Sequence, residues 1–475
     1  MKQFANDFIF GAATAAFQAE GAVKEDGRGP CYWDEYLHRP ESKFNGDRAS
    51  GFYHKYKEDL QLAREFGING IRISIAWSRI FPEGTGEVNQ AGINFYNNLI
   101  DECLANGVEP YVTLHHFDTP LSLYKNGDWL DRRNLDHFVE FAKVCFENFG
   151  DRVKKWVTIN EPWSVVAGQY IIGHFPPNFK YDIPKAVQAM HNMMVAHAKV
   201  VNEFKAMKVE GEIGIIHILE SKYAISDSAE DEKAAYLEDT LANKFMLDAC
   251  FKGEYDTETL QVVEDIVSQN GGKLVIGAED MVLMKEAAKK NDFLGVNYYA
   301  SHFIASHEGE SGIHHNGTGE KGTSTFAIKG VGKRVTNPAV PTTDWDWPIY
   351  PKGLYDMLVR IKREYPNYKT IYVTENGMGY KDDFEAGKVD DLPRIEYIND
   401  HLAAILDAID AGVNVKGYFL WSMMDVLSWT NGYNKRYGLF YVDFQTQERY
   451  VKKSAHWMKK VAETKTLVDP SQIDY

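Results

Sequence analysis

The chain has 475 residues, 44% of them hydrophobic and 25% charged, and a formal net charge of −16. This acidic balance excludes a general nucleic-acid or anionic-membrane surface, and no apolar run is long enough to span a bilayer. Four scattered cysteines, Cys31, Cys103, Cys145 and Cys250, form no CxxC pair and read as reduced thiols.

The opening stretch "MKQFANDFIFGAATAAF" has no continuous apolar core before Asp7, so it does not read as a secretory signal, and a cytoplasmic protein is expected. Beyond it, short β-rich runs recur: "FIFGAAT" (8–14), "GIRISIAW" (70–77), "EPYVTLHH" (109–116), "KWVTINEP" (155–162), "EIGIIHIL" (212–219), "DFLGVNYY" (292–299), "TIYVTENG" (370–377) and "VKGYFLWS" (415–422). Amphipathic stretches lie between them. Phe138, Ala142, Cys145 and Phe149 share one helical face, as do Met190, Met194, His197, Val201 and Phe204. Strands alternating with helices predict a parallel sheet. Eight of them predict a single (β/α)8 barrel over 1–475, of the TIM-barrel kind, with loop insertions at the C-terminal rim. An open doubly wound sheet is the alternative. No Pro/Gly/Ser-rich linker divides the chain. The longest irregular stretch, about 301–348, carries seven glycines between Gly309 and Gly332 and reads as a rim insertion.

Several candidate motifs fail for want of context. "GTGEKG" (317–322) matches G-x-G-x-x-G but follows no strand and opens no helix, so it is not a dinucleotide fingerprint. His115 and His116 are neighbours on a strand and point to opposite faces. No H-E-x-x-H spacing exists, and no metal or organic cofactor is implied. "NGT" at Asn316 is a glycosylation sequon without meaning in the absence of export.

A pair of carboxylates is the strong signal. Glu161 ends the run "VTINEP" and Glu375 the run "VTENG". A carboxylate at a buried strand end is costly unless it is paired or used. Two on one rim point to glycoside hydrolysis, in which one acid protonates the leaving oxygen and one carboxylate attacks or activates water.

"FIFGAATAAFQAEG", "IRISIAWSRIFP", "TLHHFDTP", "NEPW", "GVNYY", "TENG" and "GYFLWSMMD" follow in order the motifs of glycoside hydrolase family 1, which the sequence resembles over essentially its whole length. The resemblance implies a (β/α)8 barrel and a retaining β-glycosidase. In it Glu161 is the acid/base and Glu375 the nucleophile, with carboxyls roughly 5–5.5 Å apart. It implies that Arg72 and Tyr299 hold the nucleophile. Gln18, His116, Asn160, Asn297 and Trp421 would contact the sugar, and Trp347 would be a platform facing the leaving group.

"SWTNGYNKRYG" (428–438) departs from that family pattern. Ser428 stands where ordinary members carry a glutamate that binds the sugar's 4- and 6-hydroxyls, and Tyr437 replaces the usual Phe. Lys435 occupies a variable position, whereas Arg436 matches the family and reads as structural. A phosphate monoester carries about −1.5 to −2 charge near pH 7. A carboxylate would repel it; a hydroxyl, an ammonium and a phenol would each donate to it. The loop therefore resembles the 6-phospho-β-glycosidase branch, and the expected partner is a phosphorylated disaccharide or β-glycoside. Trp429, against the 4-hydroxyl side, favours 6-phosphogalactosides such as lactose 6-phosphate, with 6-phosphoglucosides or dual use as the alternative.

Overall fold

The computed structural model describes residues 2–473. Eight parallel strands close into a barrel: β1 (Ile9–Ala13), β2 (Gly70–Ser74), β3 (Glu109–His115), β4 (Lys155–Asn160), β5 (Glu212–Ile218), β6 (Phe293–Asn297), β7 (Ile371–Asn376) and β8 (Val415–Trp421). Each lies inside one of the eight β-rich runs of the sequence. Neighbours in the chain are neighbours in the barrel, and β1 closes it against β8 with Ile9 opposite Gly417 and Ala13 opposite Trp421. The closed barrel replaces the open-sheet alternative. The helices Arg133–Phe149 and Ile183–Ala206 bury the stripes read from their periodicity, including Phe138, Cys145, Met190 and Phe204.

Within the barrel, packing depends on missing side chains. A Cβ on Gly11 would stand 2.4 Å from a ring carbon of Phe419, and one on Gly295 would stand 2.3 Å from Ile216. Side chains of a closed eight-stranded barrel fill its interior, so a bulky ring at one position is matched by a glycine beside it.

The stretch 301–348 is more ordered than its composition suggests. Four strands, 302–305, 312–314, 325–328 and 332–335, join Lys222–Ala224 in a five-stranded sheet over the rim. A buried ion network ties this sheet down. Lys222 pairs with Glu220 (2.9 Å) and Glu238 (3.3 Å), and Arg334 pairs with Glu238 (2.8 Å). Asp346, at φ 65°, accepts the N–H groups of Gly322, Thr323 and Ser324 and the amide of Asn316. The sequon asparagine is thus buried and engaged, and "GTGEKG" is a folded-over rim turn. All four cysteines are buried and free. Among the described residues no helix is long and apolar enough to cross a membrane.

Candidate active site

The parallel strands deliver their C-terminal residues to one rim, around a cavity of ≈ 540 Å³. Glu161 follows β4 directly. Its backbone is left-handed (φ 49°) and its N–H donates to the Ile216 carbonyl at 2.9 Å. That conformation costs a non-glycine residue roughly 1–2 kcal/mol, and it is held between β4 and the helix Pro162–Val166. The carboxylate accepts from Asn297 Nδ2 at 2.6 Å and from Ser164 Oγ at 2.6 Å. Burial, followed by the charge of Glu375, pushes its pKa up to about 8.

Glu375 stands near the end of β7. Arg72 Nη1 donates to one carboxylate oxygen at 2.6 Å, and Tyr299 OH to the other at 2.7 Å. Arg72 can do this because β2 alternates: Ile71 and Ile73 take one face, and Arg72 the other, inside the barrel. There its second nitrogen reaches Thr113 Oγ1 and Asn160 Oδ1. Burial raises the Glu375 pKa, and Arg72, Tyr299 and Asn297 oppose the rise. The two carboxyls thus share a pocket with unlike surroundings. One is held by a guanidinium and a phenol, the other only by neutral donors.

Around them, Gln18, His116, Asn160, Trp421, Trp347 and Trp429 line the cavity. Gln18 donates to the Leu427 carbonyl at 2.7 Å, and its Oε1 has no partner among the described residues. Burial, with the charge of Arg72, lowers the pKa of His116 and favours its neutral form, and its Nδ1 also has no partner among the described residues. Asn297, expected among the sugar contacts, lies beneath the wall. Its amide nitrogen serves Glu161 and Asn160, and its oxygen accepts from Thr374. Trp429 belongs to an aromatic box, stacked on Phe17 (5.6 Å) and tilted against Trp33 (4.8 Å).

The loop 428–437 forms one end of the cavity. Ser428 and Gly432 exchange backbone hydrogen bonds at 2.8 and 2.9 Å, and this turn presents Ser428 to the cavity. Lys435 is only 3% exposed, and burial holds its pKa well below the usual ammonium range. Among the described residues no carboxylate forms an ion pair with it. Its ammonium instead lies 3.7 Å from the ring centre of Trp347 and 4.8 Å from that of Trp345. Trp347, expected as a leaving-group platform, therefore also carries the lysine. Tyr437 lines the same end. Arg436 points away: it pairs with Asp425 (2.6 Å), donates to the Val442 carbonyl and lies over the Tyr441 ring at 4.0 Å. It is a structural residue, as its agreement with the family pattern suggested.

The rim sheet contributes lining residues that the sequence did not single out, among them Ile313, His315, Phe326 and Arg334. In the sequence His315 stands only as the second of two adjacent histidines, His314 and His315. In the structure its Nε2 meets Thr430 Oγ1 at 2.9 Å.

A closed (β/α)8 barrel with two buried glutamates at the C-terminal rim defines a carboxylate-pair hydrolase. The chain belongs to glycosyl hydrolase family 1, whose model matches residues 1–467. It is 69% identical over 475 residues, 100% of both chains, to a 6-phospho-beta-galactosidase of Clostridium acetobutylicum. It is 57% identical over 467 residues to one of Leptotrichia buccalis, covering 98% of this chain and 100% of that relative. Among solved structures, a family 1 β-glucosidase from Thermotoga maritima superposes with a TM-score of 0.87 at 36% identity, over 98% of this chain and 99% of that one.

Proposed function

We propose that the protein is a retaining 6-phospho-β-galactosidase. It would cleave a 6-phospho-β-galactoside, such as lactose 6-phosphate, into galactose 6-phosphate and a free sugar or alcohol. The observation that carries the reading is Lys435, a buried lysine whose charged form burial disfavours and which has no carboxylate beside it among the described residues. Taking an ion out of water costs several kcal/mol unless a counter-charge meets it. Aromatic faces offset part of that, roughly 0.5–2 kcal/mol, and an arriving phosphate dianion would supply the rest through charge-assisted bonds. Ser428 and Tyr437 add donors at the same end. The names borne by the relatives at 69% and 57% identity support the same substrate.

In the first step Glu375, ionised between Arg72 and Tyr299, attacks the anomeric carbon. The bond to the leaving oxygen breaks as Glu161 gives that oxygen its proton. The pKa of about 8 keeps Glu161 protonated near neutrality. Once Glu375 is an ester its charge is gone, and the Glu161 pKa falls. It falls only part of the way, because burial is the larger cause of the rise. Glu161 then takes a proton from water as the water attacks, and the glycosyl ester is released. A cytoplasmic location goes with this reading, since a sugar phosphate dianion does not cross a bilayer unaided.

A direct test compares nitrophenyl β-galactoside, its 6-phosphate and the 6-phosphoglucoside in one assay. The reading requires kcat/KM for the 6-phosphogalactoside to exceed the neutral galactoside by at least ~100-fold, the worth of one or two charge-assisted hydrogen bonds. Equal values would remove the phosphate claim, and a higher value for the 6-phosphoglucoside would reverse the sugar preference. Glu375→Gln should abolish turnover of all three.

A further inference from the structure

Gly379 stands four residues beyond Glu375, on the segment that leaves β7. Its backbone is not in the left-handed region, so conformation alone does not require glycine there. Space does. A Cβ at this position would lie 2.4 Å from Cε, 2.7 Å from Cγ and 3.0 Å from Cδ of Lys435. All three contacts fall on the stem of Lys435, the lysine that shares its end of the cavity with Ser428 and Tyr437.

Neither backbone is free to yield. Tyr380 N–H donates to the Arg436 carbonyl at 2.9 Å, and Arg436 N–H returns a bond to Tyr380 at 3.2 Å. Arg394 Nη2 donates to the same Arg436 carbonyl at 3.0 Å, and the Arg436 side chain is fixed to Asp425. The far end of Lys435 is bounded by the rings of Trp347 and Trp345. A methyl group at 379 is therefore accommodated by moving the Lys435 side chain, which relocates the ammonium.

We propose that Gly379 is a specificity-determining position: the side chain it lacks is the slot in which the Lys435 stem lies, and this slot sets where the cation meets an anionic group on the sugar. Gly379 touches no substrate and acts through Lys435, so it is a positioning residue. The inference rests on the phosphate reading above. It adds that the same segment carries the nucleophile at 375 and the slot at 379, which fixes the anion site relative to the attacking oxygen.

The experiment uses the full-length protein as wild type, Gly379→Ala, Lys435→Ala and the double variant. Each is assayed on nitrophenyl β-galactoside 6-phosphate and on the unphosphorylated galactoside, with a thermal midpoint measured for each. In Gly379→Ala the ratio of the two kcat/KM values should fall roughly 10- to 100-fold, the value of one charge-assisted hydrogen bond, with the loss carried mainly by KM. The double variant should match Lys435→Ala in both ratio and midpoint, because the three atoms nearest the added methyl all belong to the stem that is then gone. A general structural role would lower both substrates alike and leave the ratio unchanged, which overturns the inference. So does a double variant that is less stable or less selective than Lys435→Ala, and this arm still decides if Gly379→Ala alone fails to fold. A high wild-type ratio that Gly379→Ala leaves intact overturns the inference alone. A wild-type ratio near one overturns the phosphate reading together with it.

Discussion

Glu161 and Glu375 are the same residue type on the same rim, and their neighbours separate them. Arg72 and Tyr299 donate directly to Glu375 and favour its charged form, while Glu161 accepts only from the neutral Asn297 and Ser164 and feels Arg72 as a weaker, more distant charge. The alkaline limb of kcat/KM is accordingly expected near pH 8, where Glu161 loses its proton. With a nitrophenyl leaving group that needs little acid assistance, Glu161→Gln should flatten that limb; a limb that persists would assign it to another group. Stability carries the same signature. The folded-state pKa of Glu161 lies above its unfolded value of 4.5, so the folded form binds more protons between about 4.5 and 8, and this group's contribution to stability falls as pH rises through that window. Glu161→Gln should therefore gain thermal stability over wild type, and gain more at pH 8 than at pH 5. Both glutamates were legible in the sequence because each sits between turn-formers at the end of a β-rich run. The difference between them came from the family resemblance and not from local pattern, since Arg72 and Tyr299 reach Glu375 from 303 and 76 residues away in the chain.

Among elements, the barrel strands were readable as runs, and the rim sheet was not. Its strands are only three or four residues long and partly exposed, too short for a period-two pattern to emerge among seven glycines. Its order comes from long-range partners, above all Asp346, which gathers three backbone N–H groups. Asp346→Ala should leave those donors unpaired and loosen residues 316–324. Faster amide exchange at 322–324 and quicker proteolytic nicking there would show it, and unchanged protection would mean that the turn holds itself. The barrel is vulnerable elsewhere. Gly11→Ala sets a Cβ against Phe419 and the Gly70 carbonyl, where β1 meets β8 and β2. Overpacking of this kind costs about 1–3 kcal/mol, which urea unfolding would register as a lower midpoint at constant slope.

On the scale of the whole molecule, the proposed function pairs an acidic protein with an acidic substrate. The net charge of −16 repels a phosphorylated sugar at a distance, and the buried Lys435 acts only at close range. Raising salt from about 10 mM to 100 mM shortens the Debye length from about 30 Å to 10 Å. It should increase kcat/KM for the 6-phosphogalactoside a few-fold while leaving the neutral galactoside flat. A decrease would mean that rim cations dominate the approach. By itself the sequence determined the eight strands, the two glutamates at their ends and a loop in which a hydroxyl replaces a carboxylate, because these are local patterns of residue type along the chain. The family resemblance had already given the two glutamates their roles and read Arg436 as structural; the tertiary structure supplied the contacts behind these readings, Arg72 and Tyr299 on Glu375 and Asp425 on Arg436, and it alone showed that a glycine beyond β7 makes room for Lys435. Those outcomes depend on burial and on partners separated by tens to hundreds of residues, which closure of the barrel brings within hydrogen-bond reach.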